Sequence, residues 1–155
     1  MRTETSKGFL RLQYKAPDYQ FGQVELDFEL QPHRTIVQSV IEVVPSPRTA
    51  ASHPEVPLIL DGQDLEFISL RVNGQAHRHV EITPERMVIH GLPNKGKQKF
   101  QIEIKTSCVP DKNTSLMGLY VSRGNFFTQC EAEGFRKITY FIDRPDVMAK
   151  FKTRM

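Results

Sequence analysis

The sequence predicts an all-β protein built as an antiparallel β-sandwich. Three observations support this prediction. Apolar and polar residues alternate in several segments, turn-forming residues separate these segments at short intervals, and no long window shows the 3.6-residue period of a helix. Ten prolines and nine glycines spread between the segments favour a sandwich over βαβ units.

The strongest strand signal is strict alternation, which places one face of a strand on a core and the other in water. It occurs over residues 24–30, 68–73 and 99–105. The apolar sets expected to face the core are Val24, Leu26, Phe28 and Leu30; Ile68, Leu70 and Val72; and Phe100, Ile102 and Ile104. Residues 35–44 and 56–60 are richer in apolar residues and predict strands covered on both faces.

Residues that favour turns separate these predicted strands. Asn73-Gly74 is the best hairpin marker, because a type I′ turn needs positive φ at both central residues. The four prolines of residues 45–57 predict an excursion between strands. Further breaks are predicted at Asp61-Gly62, Pro93-Asn94 and Lys95-Gly96.

The C-terminal end predicts at most one short helix. Asp146 would act as its N-cap directly after Pro145, and the helix would run over residues 146–151. No closing strand is evident after it. We therefore expect one domain over residues 1–155 that stops before it is complete.

Bulk properties narrow the class of protein. A chain of 155 residues is long enough for one domain with a real core. Its 21 basic and 18 acidic residues are mixed along the chain, which argues against the concentrated basic face of a nucleic-acid-binding protein. No segment resembles a signal peptide or a membrane span. Cys108 and Cys130 are the only cysteines and predict buried, reduced thiols, so we expect a cytoplasmic protein.

Residues 91–98 nearly match a phosphate-binding P-loop. Gln98 stands where a serine or threonine would hold magnesium, and a predicted strand follows where a helix should begin. The segment is therefore interpreted as a hairpin loop.

The histidines offer a second candidate site. His77 and His79 would project to one side of an extended segment, and His90 could join them as a zinc ligand. No carboxylate is evident to orient them, so exposed surface histidines are the favoured interpretation. None of the five histidines belongs to an H-E-x-x-H motif. A Cys130 nucleophile is not expected, because the neighbouring glutamates oppose the effect of Arg136 and Lys137.

The third candidate is the acidic stretch that begins at Thr128. If this stretch starts extended, Gln129 and Glu131 point to one side while Cys130 and Ala132 point to the other. An amide beside a carboxylate could bind a cationic amine. The alternative, which spacing alone favours, is that Glu131 and Glu133 form ion pairs. The candidate cationic partners are Arg136, Lys137 and Arg144.

Residues 118–147, "GLYVSRGNFFTQCEAEGFRKITYFIDRPDV", resemble the corresponding segment of bacterial aminopeptidase N, a family of zinc metallopeptidases. Upstream stretches such as "YKAPDYQ", "LDFELQPHRTIVQS" and "LILDGQDLEFISLRVNG" resemble the first domain of that family more loosely. The resemblance therefore covers nearly the whole chain.

The resemblance implies a saddle-shaped β-sandwich that lies against a thermolysin-like catalytic domain. In that arrangement Glu131 would bind the free α-amino group of a peptide substrate, together with a glutamate of the catalytic domain. Gln129 would line the pocket for the first side chain. The Asp143-x-Pro145 element would be a structural turn that fixes the following helix.

The chain departs from the family because the catalytic motif is absent. It lacks the H-E-x-x-H, the downstream glutamate ligand, the second amine-binding glutamate and the tyrosine that stabilises the tetrahedral intermediate. We therefore expect no catalytic residue and no metal ligand in this chain. Zinc would belong to the missing catalytic domain of the same polypeptide, in which a zinc-bound water attacks the first peptide bond. This chain alone should be inactive.

Two rival hypotheses remain. The chain could be a stand-alone, non-catalytic β-sandwich module that binds amines, peptides or a protein partner. It could also be a small metalloprotein that uses His77 and His79.

Overall fold

The computed structural model describes residues 14–47, 49, 56–93 and 98–155. These residues contain eleven strands and two short 3-10 turns, at Pro110–Lys112 and Phe135–Lys137. Most of the predicted excursion over 45–57 and the predicted turn at Lys95-Gly96 lie outside the described residues. The strands are β1 (Tyr19–Glu29), β2 (Thr35–Pro45), β3 (Leu58–Asp61), β4 (Glu66–Val72), β5 (Gln75–Ala76), β6 (Val80–Ile82), β7 (Arg86–Ile89), β8 (Phe100–Cys108), β9 (Gly118–Ser122), β10 (Asn125–Gln129) and β11 (Lys150–Arg154).

The described strands form three sheets. A six-stranded sheet has the order β11-β1-β2-β8-β4-β5, a three-stranded sheet has the order β3-β7-β6, and β9 and β10 form a hairpin. Every pairing between the described strands is antiparallel except that of β1 with β11, which is parallel. The prediction of an all-β, antiparallel sandwich is confirmed.

The main core is formed by apolar side chains of both larger sheets. In β2 every second residue is buried, and strands β1, β3, β7 and β8 contribute their own buried sets. Residues 140–142 complete this core although they form no regular strand. A smaller cluster of Val37, Cys108, Leu119 and Ile138 holds the β9–β10 hairpin against the six-stranded sheet. Burying side chains of this size contributes roughly 1.5–3 kcal/mol each.

Buried hydroxyl groups lie between the two apolar clusters. Ser39 follows Val37 of the smaller cluster and precedes Ile41 of the main core on the inward face of β2. Its hydroxyl accepts a hydrogen bond from Thr139 Oγ1 at 3.1 Å and donates to the carbonyl of Ile104 at 3.4 Å. These bonds satisfy polar groups that would otherwise be costly to bury.

The Asn73-Gly74 hairpin is confirmed. The φ angles are 48° at Asn73 and 77° at Gly74, as a type I′ turn requires, and the flanking residues Val72 and Gln75 pair directly.

Two details of the strand predictions are wrong. In β4, Ile68 is 39% exposed and Phe67 packs against the core instead, because a β-bulge between Phe67 and Ser69 inserts one residue and reverses the alternation. In β3, Ile59 is 48% exposed, so this strand is covered on one face only. Its outer face has no further sheet packed on it among the described residues.

The predicted helix over residues 146–151 is also wrong. The chain makes a turn at Pro145 and Asp146 and then forms β11, a strand that the sequence did not suggest. Tertiary contacts of β11 outweigh the local preference for a helix N-cap at Asp146. Phe151 packs against the rings of Phe135 and Phe141, and Arg154 forms an ion pair with Asp27 on β1.

The loop over residues 91–98 is not a hairpin. β7 belongs to the three-stranded sheet and β8 to the six-stranded sheet, so the connection crosses from one layer of the sandwich to the other. Residues 94–97 lie outside the described part of the chain. A strand, β8, follows the segment, which agrees with the exclusion of a P-loop.

Replacing Phe141 with alanine should destabilise the fold strongly. The ring is buried and lies 4.9 Å from the ring centroids of both Phe21 and Phe135. We expect a loss of about 3–5 kcal/mol in the free energy of unfolding, measured by urea denaturation. The matched control is Phe127→Ala, at a half-exposed position, which should cost clearly less. Equal losses for the two variants would contradict this account of the core.

Candidate functional site

The candidate site is a tight turn that follows the β9–β10 hairpin. Strand β10 ends at Gln129, and the amide of Gly134 donates a hydrogen bond to the carbonyl of Cys130 at 2.9 Å. The peptide bond between Glu131 and Ala132 is cis. Because β10 ends at Gln129, the extended conformation holds only to that residue. Ala132 is exposed and does not pack beside Cys130 as alternation predicted, because the chain reverses first.

Gly134 makes this turn possible. It is buried, and a Cβ atom there would lie 2.9 Å from Cys130 Cα and from Met117 Cε, and 3.0 Å from the carbonyl oxygen of Gln129. Contacts this short with backbone atoms exclude a side chain. The turn therefore depends on glycine at this position.

Gln129 lies on the open face of the hairpin. It pairs with Gly118, and the next pair on the same face is Tyr120 with Phe127, whose rings stack at 5.6 Å between centroids. Phe127 is 45% exposed. The opposite face carries Leu119 into the smaller apolar cluster. Gln129 and Glu131 are both exposed at the same end of the hairpin.

The two glutamates of the turn differ in their partners. Glu133 Oε2 lies 3.0 Å from Arg136 Nη2 and forms an ion pair. Glu131 has no hydrogen bond or ion pair to any residue that the structure describes. The ion-pairing alternative therefore applies to Glu133, and Glu131 keeps an exposed, unpaired carboxylate.

Arg136 ties the turn to a buried carboxylate. Its Nε donates to Asp143 Oδ2 at 2.8 Å, its backbone amide donates to the same oxygen at 3.2 Å, and its Nη2 donates to the Asp143 carbonyl at 3.2 Å. Asp143 is only 7% exposed, and its own amide donates to Asp61 Oδ2. Burial acts to lower the pKa of Arg136, but the hydrogen bond to Asp143 and three nearby carboxylates raise it overall.

The Asp143-x-Pro145 element is a structural turn, and no helix follows it. Arg144 Nε and Nη2 donate to the two carboxylate oxygens of Asp146 at 2.9 and 2.6 Å. Burial acts to raise the pKa of Asp146, but hydrogen bonds from Arg144 and Tyr14 lower it overall. Strand β11 begins four residues later.

Both thiols are in their free form and poorly suited to nucleophilic chemistry. Burial raises the pKa of Cys108 to about 11. Burial, and then the charge of Asp143, raise the pKa of the half-buried Cys130. Arg136 and Lys137 do not counteract this effect, because their charges are paired with Asp143, Glu133 and Asp64. This agrees with the expectation that Cys130 is not a nucleophile.

The structure brings the three histidines close together. His77 Nε2 lies 2.8 Å from the carbonyl oxygen of His90, and the rings of His77 and His79 are 6.0 Å apart. The expectation that no carboxylate lies nearby is wrong, because Glu81 Oε1 is 3.2 Å from His90 Nε2, although the two are not aligned for a hydrogen bond. Within the described residues, no group of three or more histidine, cysteine, aspartate or glutamate side chains could hold a metal ion. These residues therefore do not fit a zinc site.

The sequence analysis identified Gln129 and Glu131 as candidates but missed the interaction between Arg136 and Asp143 beside them. It treated Arg136 as one of several possible partners and did not pair it with Asp143. The available signal was the position of Asp143 directly after the apolar run 138–142, because a carboxylate that continues such a run is expected to be partly buried and then requires a cation or several donors.

Residues 12–155 match the Peptidase M1 N-terminal domain family, and the chain belongs to this family. It is 40% identical over 150 residues to aminopeptidase N of Haemophilus influenzae and 39% identical over 153 residues to aminopeptidase N of Escherichia coli. These alignments cover 97% and 99% of this chain but 17% of each relative. The chain thus spans about one sixth of the length of the curated relatives it matches.

Solved structures agree with this assignment. Aminopeptidase A of Legionella pneumophila, in complex with aspartic acid, is 30% identical, with a TM-score of 0.79 over 92% of this chain and 16% of its own. An M1 zinc metallopeptidase of Deinococcus radiodurans has a TM-score of 0.72 over 89% of this chain and 32% of its own; at 15% identity it shows the fold alone. In the part of our chain that the structure describes, no helix has the length and apolar character needed to cross a membrane.

Replacing Gly134 with alanine should strain the turn, because the added methyl group would meet the backbone of Cys130 and Gln129. We expect a loss of about 1–3 kcal/mol in the free energy of unfolding, measured by urea denaturation. Ala132→Ser, at an exposed position of the same turn, is the control and should change stability by about 0.5 kcal/mol or less. A Gly134→Ala protein as stable as this control would contradict the packing described.

Alkylation by iodoacetamide should be slow at both cysteines in the folded protein. Only the thiolate reacts, and a raised pKa lowers the thiolate fraction at pH 8. We expect Cys130 to react more slowly than free cysteine and Cys108 to stay unlabelled until the protein is unfolded in urea. Mass spectrometry of the labelled peptides separates the two sites. Labelling of Cys130 at the rate of free cysteine would show that its environment is not as described.

Proposed function

We propose that this chain is the N-terminal part of a longer zinc aminopeptidase, in which it recognises the free α-amino group of peptide substrates. Family membership and identities near 40% to two aminopeptidases N support the reaction class. The observation that carries the specific role is the exposed carboxylate of Glu131, which lacks an intramolecular partner among the described residues although Arg136 lies nearby and pairs with Glu133.

The chemistry of this turn suits an ammonium group. A carboxylate that is not paired with a cation can accept charge-assisted hydrogen bonds from a ligand amine. Binding the terminal amine fixes the register of the peptide, so that its first peptide bond is the one presented for cleavage. Gln129, on the same exposed end of the hairpin, carries an amide that can donate and accept hydrogen bonds and would line the pocket for the first side chain.

Hydrolysis itself would depend on the rest of the polypeptide. The described residues supply no ligand set for zinc, so the metal and the groups that activate water would lie outside this chain. We accordingly propose that the chain is inactive alone. The two free thiols support a location in a reducing compartment, the cytoplasm.

A stand-alone binding module is the second candidate. The observation that favours it is the stacked Tyr120 and Phe127 pair on the open face of the hairpin, because exposed aromatic rings are common at binding surfaces. Such a module would bind an amine or peptide without any catalytic partner.

The amine-binding role is tested with Glu131→Gln and Glu131→Ala in the complete enzyme. We expect kcat/KM for an amino acid p-nitroanilide to fall about tenfold or more, which corresponds to about 1.4 kcal/mol of lost recognition. Binding of a competitive inhibitor that lacks the amine should change little.

The matched control is Glu85→Gln, which removes another exposed carboxylate on the three-stranded sheet side of the domain. It should leave kcat/KM within about twofold of the wild type. A decrease of less than a few-fold for both Glu131 variants would show that Glu131 does not recognise the amine.

A further inference from the structure

We infer that Arg136 is a positioning residue for Glu131: its guanidinium joins Glu133, on the same turn, to buried Asp143 and thereby fixes the place of the Glu131 carboxylate. This inference rests on the proposed function of Glu131.

Arg136 is bound on one side to Asp143, which is buried. Asp143 accepts hydrogen bonds from both the backbone and the side chain of Arg136, and its own amide donates to Asp61 at the end of β3. The carbonyl of Arg136 also accepts a hydrogen bond from the amide of Gln63 at 2.9 Å. Arg136 is therefore held through its side chain and its main chain, and its side chain is only 24% exposed.

On its other side, Arg136 contacts the turn that contains Glu131 and Glu133. Arg136 Nη2 donates to Glu133 Oε2 at 3.0 Å, and Glu133 is two residues from Glu131. The hydrogen bond from Gly134 to Cys130 closes the turn around both glutamates. A planar guanidinium can bind two carboxylates at once in fixed directions, whereas a lysine ammonium could not reproduce this geometry.

The same contacts keep the arginine charge away from Glu131. Its donors are directed at Asp143 and Glu133, and no contact joins Arg136 to Glu131 in the part of the chain described. Because a paired Glu131 would have to release its partner before binding an ammonium, this separation keeps the carboxylate available. Arg136 thus acts on the ligand only through Glu131.

The test uses the complete enzyme with Arg136→Ala, Arg136→Lys and Glu133→Ala. We expect Arg136→Ala to raise KM for an amino acid p-nitroanilide about five- to tenfold while kcat changes less than about twofold, because the lost interaction is one of binding. Arg136→Lys should recover only part of this loss. Glu133→Ala leaves the buried pair with Asp143 intact, so it should fold normally and raise KM in the same direction.

Arg144→Ala is the matched control. It removes an arginine of similar exposure that pairs with Asp146 and does not contact the turn. Its KM should stay within about twofold of the wild type. An equal rise in KM for Arg144→Ala would overturn the inference, because a general loss of stability would then explain both variants.

A double-mutant cycle separates positioning from an independent effect. If Arg136 acts through Glu131, the variant that combines Arg136→Ala with Glu131→Gln should have a KM within about twofold of Glu131→Gln alone. Additive losses would overturn the inference.

A second readout does not depend on activity. The rate of cleavage after Glu131 by a glutamate-specific protease should rise at least about fivefold in Arg136→Ala and Glu133→Ala, and not in Arg144→Ala, because release of the turn exposes its main chain. Unchanged cleavage would overturn the inference. If cleavage rises while Glu131→Gln leaves KM unchanged, the proposed amine recognition fails and the role of Arg136 in holding the turn stands.

Discussion

The architecture depends on residues 138–143, which run between the two larger sheets without forming a strand of their own. Phe141 exchanges two backbone hydrogen bonds with Asp61, at 2.7 and 3.0 Å, and so joins this segment to the three-stranded sheet. Ile138 lies in the smaller apolar cluster, whereas residues 140–142 lie in the main core. Asp143 then fixes Arg136. One segment thus links the core, the sheet edge and the candidate site, and a disturbance of its packing reaches all three.

Much of the fold could be predicted because alternation is a local signal. Strands β1 and β8 follow it directly, and the positive φ angles of Asn73 and Gly74 follow from turn chemistry. Strand β2 was predicted from its high content of apolar residues instead. The errors arose where contacts between residues far apart in the sequence determine the local structure. The bulge at Ile68 arises from a shift of register in the pairing of β4 with β8. Strand β11 forms because it pairs with β1. Neither partner is visible in the local sequence, so a helix cap was a reasonable but wrong interpretation.

The candidate site was predicted less completely. Gln129 and Glu131 were identified from alternation and from the family resemblance, but the turn at Cys130 ends the strand that the first argument assumed. Spacing could not decide which glutamate would be paired, because three cations lie within reach of both. The structure separates them, since the direction of the Arg136 side chain is set by buried Asp143. That information lies in tertiary packing and not in residue order.

The parallel pairing of β1 with β11 has a consequence for biosynthesis. Asp27 and Arg154 meet across this pair although they are 127 residues apart in the chain. The edge of β1 therefore stays open on the ribosome until residues 150–154 have emerged, after the other strands of the six-stranded sheet are available to pair. An open strand edge is a template for pairing with other chains. The strand that finally covers it, β11, carries three basic residues among five, and charged side chains on an edge strand oppose pairing with other chains.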